Sequence, residues 1–363
     1  MIYDHLILGR DPAGIQTALA ARRLNRRVAL ISPVTASADI AERYAALTVQ
    51  EQQQIVQELL DRLMLLSEAP LATNGRRESK WQTVRRWIAA IMDREQSVWQ
   101  ALLEKSGCEL RTGHCLVESA ARVLVQSAGQ TELLQTRSLV LAMGTRVAAP
   151  TRIECDGRRL LRSDEIANWT QLPGSILIAG AGRSGLLTAQ LLAACGARVT
   201  LLDALAPAEL PQPPIGRFSH LRHDVLTAEV NASGRVCVLL DNGQTLSADA
   251  LVWAAGRTGS PDQKVTRTSS VSRAGRKASG KSTVKPQGRR ARSGSIGSEP
   301  FVTCDLPLAR DERNRLWCSA EQETSIPGLY AVGDLVSGRR SPRSAAEQAV
   351  RIATAAFKPA VLI

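Results

Sequence analysis

Apolar residues fall along this chain in short runs closed by glycine, alternating with longer stretches in which they recur at helical spacing. Residues 6 to 32, LILGRDPAGIQTALAARRLNRRVALIS, predict a strand, a glycine turn, a helix and a second strand. ILIAGAGRSGLLTAQLLAACGARVTLLD superimposes on that block without a gap at an offset of 171 residues. Gly9 falls on Gly180, Asp11 on Gly182, Gly14 on Gly185, Asn25 on Gly196, Val28 on Val199 and Ser32 on Asp203. The helices are predicted from about Ala13 to Leu24 and from about Ser184 to Cys195, because Asn25 and Gly196 tolerate the left-handed conformation that closes a helix. DIAERYAALTVQEQQQIVQELLDRLMLLSEA predicts one or two amphipathic helices, and residues 80 to 106 a long helical region.

Shorter strands surround these blocks. CELRTGHCLVES, RVLVQS, TELLQTR and SLVLAMGT predict a meander, and DVLTAEV with RVCVLLDNGQTLSADALVWAAGRTG repeats it, with Asp-Asn-Gly as the hairpin turn. Each group ends in a strand followed by a small-residue turn, Ala142-Met143-Gly144-Thr145 and Ala254-Ala255-Gly256-Arg257. The same order of elements therefore occurs twice.

A strand, glycine turn and helix of this spacing hold a dinucleotide on the helix N-terminus. In the second copy Gly180 allows the tight turn, Gly182 lets a phosphate reach the backbone, Gly185 lets helix and strand pack, and Asp203 ends the next strand as an acceptor for ribose hydroxyls. That acid disfavours a 2′-phosphate, so NAD(H) is expected over NADP(H). The first copy has Asp11 for the middle glycine and Ser32 for the acid. A carboxylate about 4 Å from a phosphate costs on the order of 1 to 4 kcal/mol, a factor of ten to a thousand in affinity. Turning outward, or pairing with a basic group such as Arg10 or Arg183, would leave binding there weakened but not forbidden. Two nucleotides are implied.

At 363 residues the chain fits two domains with a sizeable core. The 3% aromatic content argues against single-stranded nucleic acid held by stacking. Seven cysteines, with no CxxC or CxxxxC pair, read as reduced thiols without metal or redox-pair spacing. With neither a basic, apolar leader nor an apolar run of bilayer length, a cytoplasmic protein without a membrane partner is expected. The net charge of +12 suggests a polyanion partner until it is located. Ten Lys and Arg residues lie between Asp262 and Glu299 with no acid among them, leaving the rest of the chain nearly neutral. Rich in Ser and Gly and almost without apolar residues, that stretch reads as a disordered, solvated insertion; contact with nucleic acid, or an out-of-frame stretch in a decaying gene, are the alternatives.

The segment TSIPGLYAVGDLVSGRRSPRSAAEQAVRIATAAF resembles the flavin-closing segment of the pyridine nucleotide-disulfide oxidoreductase superfamily. LARDERNRLWCSAEQETSIPGLYAVGD and the order of segments look nearest to soluble pyridine nucleotide transhydrogenases and dihydrolipoamide dehydrogenases. The resemblance runs from Met1 to about Phe357, interrupted at 262 to 300. It implies an α/β fold with two Rossmann-like FAD/NAD(P)-binding domains, each a parallel sheet with helices and a small β-meander. The implied layout is residues 1–150 for the first part of the FAD-binding domain, 151–260 for the NAD(P)-binding domain, 261–300 for the basic insertion and 301–363 for the return to the FAD-binding domain.

The function implied by the resemblance is that of an FAD-dependent oxidoreductase that passes hydride between a nicotinamide and the flavin, positioning two rings without an acid, base or nucleophile. Its cofactor-binding residues map to Gly9, Asp11, Gly14, Gly144, Gly333, Asp334 and Ala346 for FAD and to Gly180, Gly182, Gly185, Asp203 and Gly256 for NAD(H). Asp334 takes the place of the acid that binds the ribityl chain and phosphates. Ala346 lies in the run that opens the helix whose amides face the isoalloxazine.

Departures from the pattern matter as much. Residues 33 to 79, where the family carries Gly-Gly-x-Cys-x4-Cys, contain no cysteine, and the lysine of that helix is missing too. Leu187 stands for the family's glutamate. The chain stops at Ile363, before the interface domain of the larger relatives, which implies a monomer or a differently built dimer. His5, His114, His220 and His223 lie in or beside predicted strands and loops and read as ordinary surface or core residues. Two other functions stay open: a nucleotide-binding pseudoenzyme of the same fold, and a nucleic-acid-associated protein acting through the basic segment.

Overall fold

The computed structural model describes residues 2–33, 40–45, 47–65, 72–73, 76–77, 79–204, 218–259, 301–338 and 352. The basic segment 261–300, and Ala346 with the helix expected there, lie outside the described residues.

The first apolar run forms the strand Ile2–Leu8, which pairs in parallel with Val28–Ser32 on one side and with the end of Gln130–Leu141 on the other. Leu6, Ile7 and Leu8 are all buried, as expected of a parallel strand covered on both faces. TELLQTR and SLVLAMGT, expected as separate strands, are one strand of 12 residues. Its first half is exposed apart from Leu134 and pairs antiparallel with Arg122–Ser127; from Ser138 to Leu141 it is buried on both faces, in the half that pairs in parallel with Ile2–Leu8 and with Leu329–Ala331. One strand thus passes from meander to parallel core, and its burial pattern changes with its partners. CELRTGHCLVES, by contrast, divides at Gly113 into Glu109–Thr112, parallel to Val28–Ser32, and His114–Ser119, antiparallel to Arg122–Ser127. Beyond residue 300, Val302–Cys304 pairs with His114–Ser119, completing an eight-stranded sheet.

The second block builds a five-stranded parallel sheet ordered Leu160–Arg162, Ala250–Trp253, Ser175–Ala179, Arg198–Leu202, Phe218–Leu221. Its meander, Val225–Val230, Val236–Leu240 and Thr245–Ala248, is antiparallel, and Gly243 turns the hairpin with a φ of +81°. The strands that follow the two small-residue turns, Thr145–Val147 and Arg257–Gly259, pair with each other. This two-stranded ribbon joins equivalent points of the two repeats.

Helix α1 spans Pro12–Arg23 and α5 spans Arg183–Ala194, each starting one residue before the expected position. Asn25 (φ +55°) and Gly196 (φ +105°) close them as expected. Between the units run α2 (Ile40–Ala45), α3 (Val49–Leu65) and α4 (Lys80–Lys105), the last opened by a capping box between Ser79 and Gln82. Tyr44, Leu59, Trp81 and Ile88 share one buried cluster with Ile176, Leu187, Leu191 and Val252 of the second unit. The Trp81 indole donates to the Trp169 carbonyl at 2.8 Å. At its other end α4 contributes Leu103 to the cluster around Ile15 and Ala18 of α1. The helices between the units therefore pack on both. No helix among the described residues is long and apolar enough to cross a membrane.

Candidate functional site

The two glycine turns differ in what they leave open. A Cβ on Gly9, where φ is +108°, would lie 2.1 Å from the Ala142 carbonyl oxygen, and one on Gly14 would lie 2.6 Å from the Ala142 Cβ. In the second unit a Cβ on Gly180 would lie 2.8 Å from the Ala254 carbonyl carbon, and one on Gly185 only 1.9 Å from the Gly180 oxygen. Those four glycines answer to packing of helix and strand. Gly182 has nothing within 4 Å of its missing Cβ, so the middle position alone is free of steric demand.

In the first unit that freedom is used by Asp11. Its carboxylate caps α1, accepting the Gly14 N–H at 2.7 Å, and the residue is 5% exposed. It neither turns outward nor pairs with Arg10 or Arg183, because the helix N-terminus offers it amides where it stands. Pro12 follows at the first helical position and has no N–H. Gly182 caps α5 without any side-chain hydrogen bond, and Arg183 replaces the proline. The N-terminus of α1 thus directs its donors to its own chain, whereas that of α5 presents them to the surroundings.

Burial is the main reason the Asp11 carboxyl titrates well above the usual carboxylate range; the Gly14 N–H opposes the shift, and Glu51 and Asp334 add to it. Glu51 accepts from the Thr48 N–H and hydroxyl at 2.7 and 2.9 Å, at the start of α3. A Cβ on Gly333 would lie 2.6 Å from the Asp11 Oδ2, so Asp11 is packed against the turn that carries Asp334. Because the folded value is raised, the fold binds the proton more tightly than the unfolded chain does. The stability this confers is complete below the unfolded value near 3.8 and is lost as pH rises through the folded one. Asp11→Asn keeps the cap without the charge. Its unfolding free energy, read from urea titrations, is expected to match the wild type below about pH 4 and to exceed it increasingly above, by up to ~1.4 kcal/mol per pH unit until the folded value is passed. A pH-independent difference would contradict this account.

A cavity of about 1460 Å³ opens between the units. Gly182, Arg183, Ser184, Gly256 and Arg257 line it from the second unit, and Arg10, Pro12, Thr145, Gly333 and Asp334 from the first. Arg257 donates to the Thr145 hydroxyl at 2.7 Å and pairs with the Asp334 carboxylate, tying the ends of the two repeats together. α3 lies within the cysteine-free stretch 33–79; it turns Gln50, Gln53, Gln54 and Gln57 to the cavity, and Gln53 donates to the Ser184 hydroxyl at 2.5 Å. Leu187 lies in the same buried cluster as Ile55, Val56 and Leu59, so α3 and α5 meet through apolar side chains. None of the seven cysteines is in a disulfide, and none is among the described residues that line this cavity. Burial pushes the thiols of Cys115 and Cys195 up to about 12, and those of Cys108, Cys155 and Cys318 up to about 11.

A smaller cavity of about 330 Å³ lies on the other side of the second glycine turn, lined by Gly180, Asp203, Asp224 and Trp253. Asp203 accepts the Ala181 N–H at 2.6 Å, which holds its carboxylate at the turn. The residues of the second motif are therefore divided between two openings: Gly182 and Gly256 face the large one, Gly180 and Asp203 the small one, and Gly185 is packed beneath. In the first unit Gly333 and Asp334 face the large cavity, while Gly9 and Gly14 are packed against Ala142 and a Cβ on Gly144 would meet the Thr48 side chain at 2.7 Å. Sequence reasoning passed over Pro12, Glu51 and Arg257. Pro12 was legible, since it falls on Arg183 in the self-alignment; the other two meet Asp11 and Asp334 only through the fold.

The sequence profile described as "Pyridine nucleotide-disulphide oxidoreductase" matches residues 3–289. The soluble pyridine nucleotide transhydrogenase of Shigella boydii serotype 18 (strain CDC 3083-94 / BS512) is 23% identical across 98% of this chain and 70% of its own length. The soluble pyridine nucleotide transhydrogenase of Mycobacterium tuberculosis (strain ATCC 25177 / H37Ra) is 24% identical across 72% of this chain, a match that spans only 58% of that relative. Among solved structures, the HOCl-induced flavoprotein disulfide reductase RclA from Escherichia coli superimposes with a TM-score of 0.62 at 17% identity, covering 96% of this chain and 69% of that one. LpdA from Mycobacterium tuberculosis does so with a TM-score of 0.62 at 18% identity, covering 97% and 72%. At these identities the structural likeness shows the fold: α/β, with two Rossmann-like domains.

Proposed function

The chain belongs to the pyridine nucleotide-disulphide oxidoreductase family, and on that premise we propose that it is an FAD-dependent oxidoreductase that passes hydride between a nicotinamide dinucleotide and a flavin without a disulfide step. The observation that carries this reading is the shared cavity, with the open N-terminus of α5 on one wall and Gly333 and Asp334 on the other. Its volume of about 1460 Å³ exceeds the ~300–1,000 Å³ of single-ligand pockets and suits two ring systems.

For NAD(H) the residues fit. Gly182 leaves room for a phosphate, the amides of α5 face it, and Asp203 supplies the ribose acceptor in the smaller cavity, an arrangement that favours NAD(H) over NADP(H). For FAD, Gly333 and Asp334 fit the sugar side, and α1 fits a phosphate only with Asp11 in its neutral form. A bound flavin supplies the two-electron partner for the nicotinamide hydride. The chain's own residues bind and orient: Arg257 holds Asp334 and Thr145 in place, and the glutamine face of α3 forms the remaining wall. A thiol relay has no support at this cavity, since the cysteines lie elsewhere and burial disfavours most of their thiolates. Residues 1–150 with 301–363 form the proposed flavin domain and 151–260 the nicotinamide domain.

A second reading is favoured by the Asp11 cap: a nucleotide-binding protein of the same fold that has dispensed with the flavin. Purified protein, or protein incubated with FAD, is expected to show flavin absorbance in the visible, to be bleached by NADH and to recover it with a nicotinamide analogue. A protein that stays colourless after incubation with FAD, yet binds NADH, would establish the second reading in place of the first.

A further inference from the structure

We propose that phosphate binding at the first nucleotide unit is coupled to uptake of one proton by Asp11, whose carboxylate otherwise serves as an internal anion and holds the N-terminus of α1 closed. This rests on the flavin site proposed above and adds a condition to it.

The second unit serves as an internal control for the geometry. Two helices of 12 residues begin after equivalent glycine turns. In α5 the N-cap is Gly182, which makes no side-chain cap hydrogen bond. In α1 the Gly14 N–H goes to Asp11, Ala13 also supports the ionised carboxylate, and Pro12 has no N–H to offer. An ionised Asp11 therefore does at α1 what a phosphate would do at α5, and its charge opposes any second anion.

The groups around Asp11 make proton uptake the favoured response to an arriving anion. Glu51 acts on it from the start of α3 and Asp334 from the turn after Leu329–Ala331, both carboxylates; Arg257 is engaged by Asp334 and Thr145. Thr48, the neutral partner of Glu51, packs against Gly144. Another negative charge brought to this cluster raises the free energy of every carboxylate in it. Protonation removes one charge, releases the α1 amides from a full anion and turns Asp11 into a donor for a phosphate oxygen.

Single-proton coupling has a fixed signature: above the titration of Asp11, affinity falls tenfold for each unit of pH. FAD, ADP-ribose and riboflavin separate the ligand's parts, since ADP-ribose carries the same doubly esterified pyrophosphate without the flavin ring and riboflavin the ring without phosphate. Titrations of the full chain across the pH range in which it stays folded should show this fall for FAD and ADP-ribose above the titration of Asp11 and none for riboflavin. NADH is present at saturation in the ADP-ribose series to occupy the second unit. In Asp11→Asn and Asp11→Gly the fall should vanish, with FAD bound at every pH as tightly as the wild type binds it at low pH. If wild type and variants bind FAD equally with no pH dependence, the coupling is wrong and the flavin reading stands. If none of them takes up FAD at any pH, both fail. A slope that persists in Asp11→Asn but disappears in Glu51→Gln assigns the proton to Glu51 and overturns the role given to Asp11. The same slope for riboflavin would detach the effect from phosphate.

Discussion

Replacing Gly182 with aspartate is expected to weaken NADH binding by a factor of ten to a thousand while leaving the fold as stable as before or slightly more so. The substitution copies into α5 the residue that α1 carries at the same point of the repeat. There is room for it, because nothing lies within 4 Å of where the side chain begins and the φ of −65° suits any residue. A carboxylate about 4 Å from a phosphate costs on the order of 1 to 4 kcal/mol, which sets the range in affinity. As an N-cap, however, aspartate improves on glycine by a few tenths of a kcal/mol. Affinity and stability should therefore move in opposite directions, a pattern that misfolding does not produce. Gly182→Ala is the steric control: it should cost no more than about 1 kcal/mol of stability, the difference between glycine and alanine at a cap, and leave NADH affinity within a few-fold. NADH fluorescence titration beside urea unfolding reads both quantities. Unchanged NADH affinity in Gly182→Asp would remove the α5 N-terminus from the site.

Gly185→Ala is expected to destabilise the protein by about 3 kcal/mol or more, with a matching fall in the urea midpoint. The added methyl group would lie 1.9 Å from the Gly180 oxygen and 3.3 Å from the Ala254 Cβ. Both the turn and the helix are backbone, and neither gives way as a flexible side chain does. Alanine's better helix propensity returns at most ~1 kcal/mol, too little to change the sign. An unaltered midpoint would mean that helix and strand separate there more easily than their packing implies. The comparison with Gly182→Ala, three residues away on the same turn, distinguishes a glycine kept for packing from one kept for a ligand.

That distinction explains why the first unit could lose its middle glycine and retain its shape. Gly9 and Gly14 are bound to the fold by Ala142, so they persist whatever the unit holds. Position 11 is the equivalent of Gly182, which packing leaves open, and an aspartate there satisfies the helix while its charge would work against a phosphate. Motif arithmetic registers one mismatch in three; the structure shows that it falls on the one position of the three that packing leaves open in the second unit.

Much of the architecture was legible before any coordinates. The self-alignment located both helices to within one residue at their starts, and Asn25 and Gly196 marked their ends, because chain reversal after a helix is a local demand on one residue's φ. Asp-Asn-Gly identified the second hairpin for the same reason. Where TELLQTR and SLVLAMGT join was not legible, since a strand that exchanges an antiparallel neighbour for parallel ones has no local mark at the exchange. Nor was the split at Gly113, which depends on which sheet positions were already filled.

For the site, the sequence by itself determined which residue types stand at the two glycine turns, that no cysteine lies between residues 33 and 79, and that an acid closes only the second unit. Those are properties of single positions read against a repeat. Only the tertiary structure decided that Asp11 faces inward, that Glu51 and Asp334 come from remote points of the chain to act on it, and that Arg257 joins the two repeats across one cavity. The physical reason is that the free energy of a charge depends on burial and on neighbours brought together by folding, which the spacing of residues along the chain does not record.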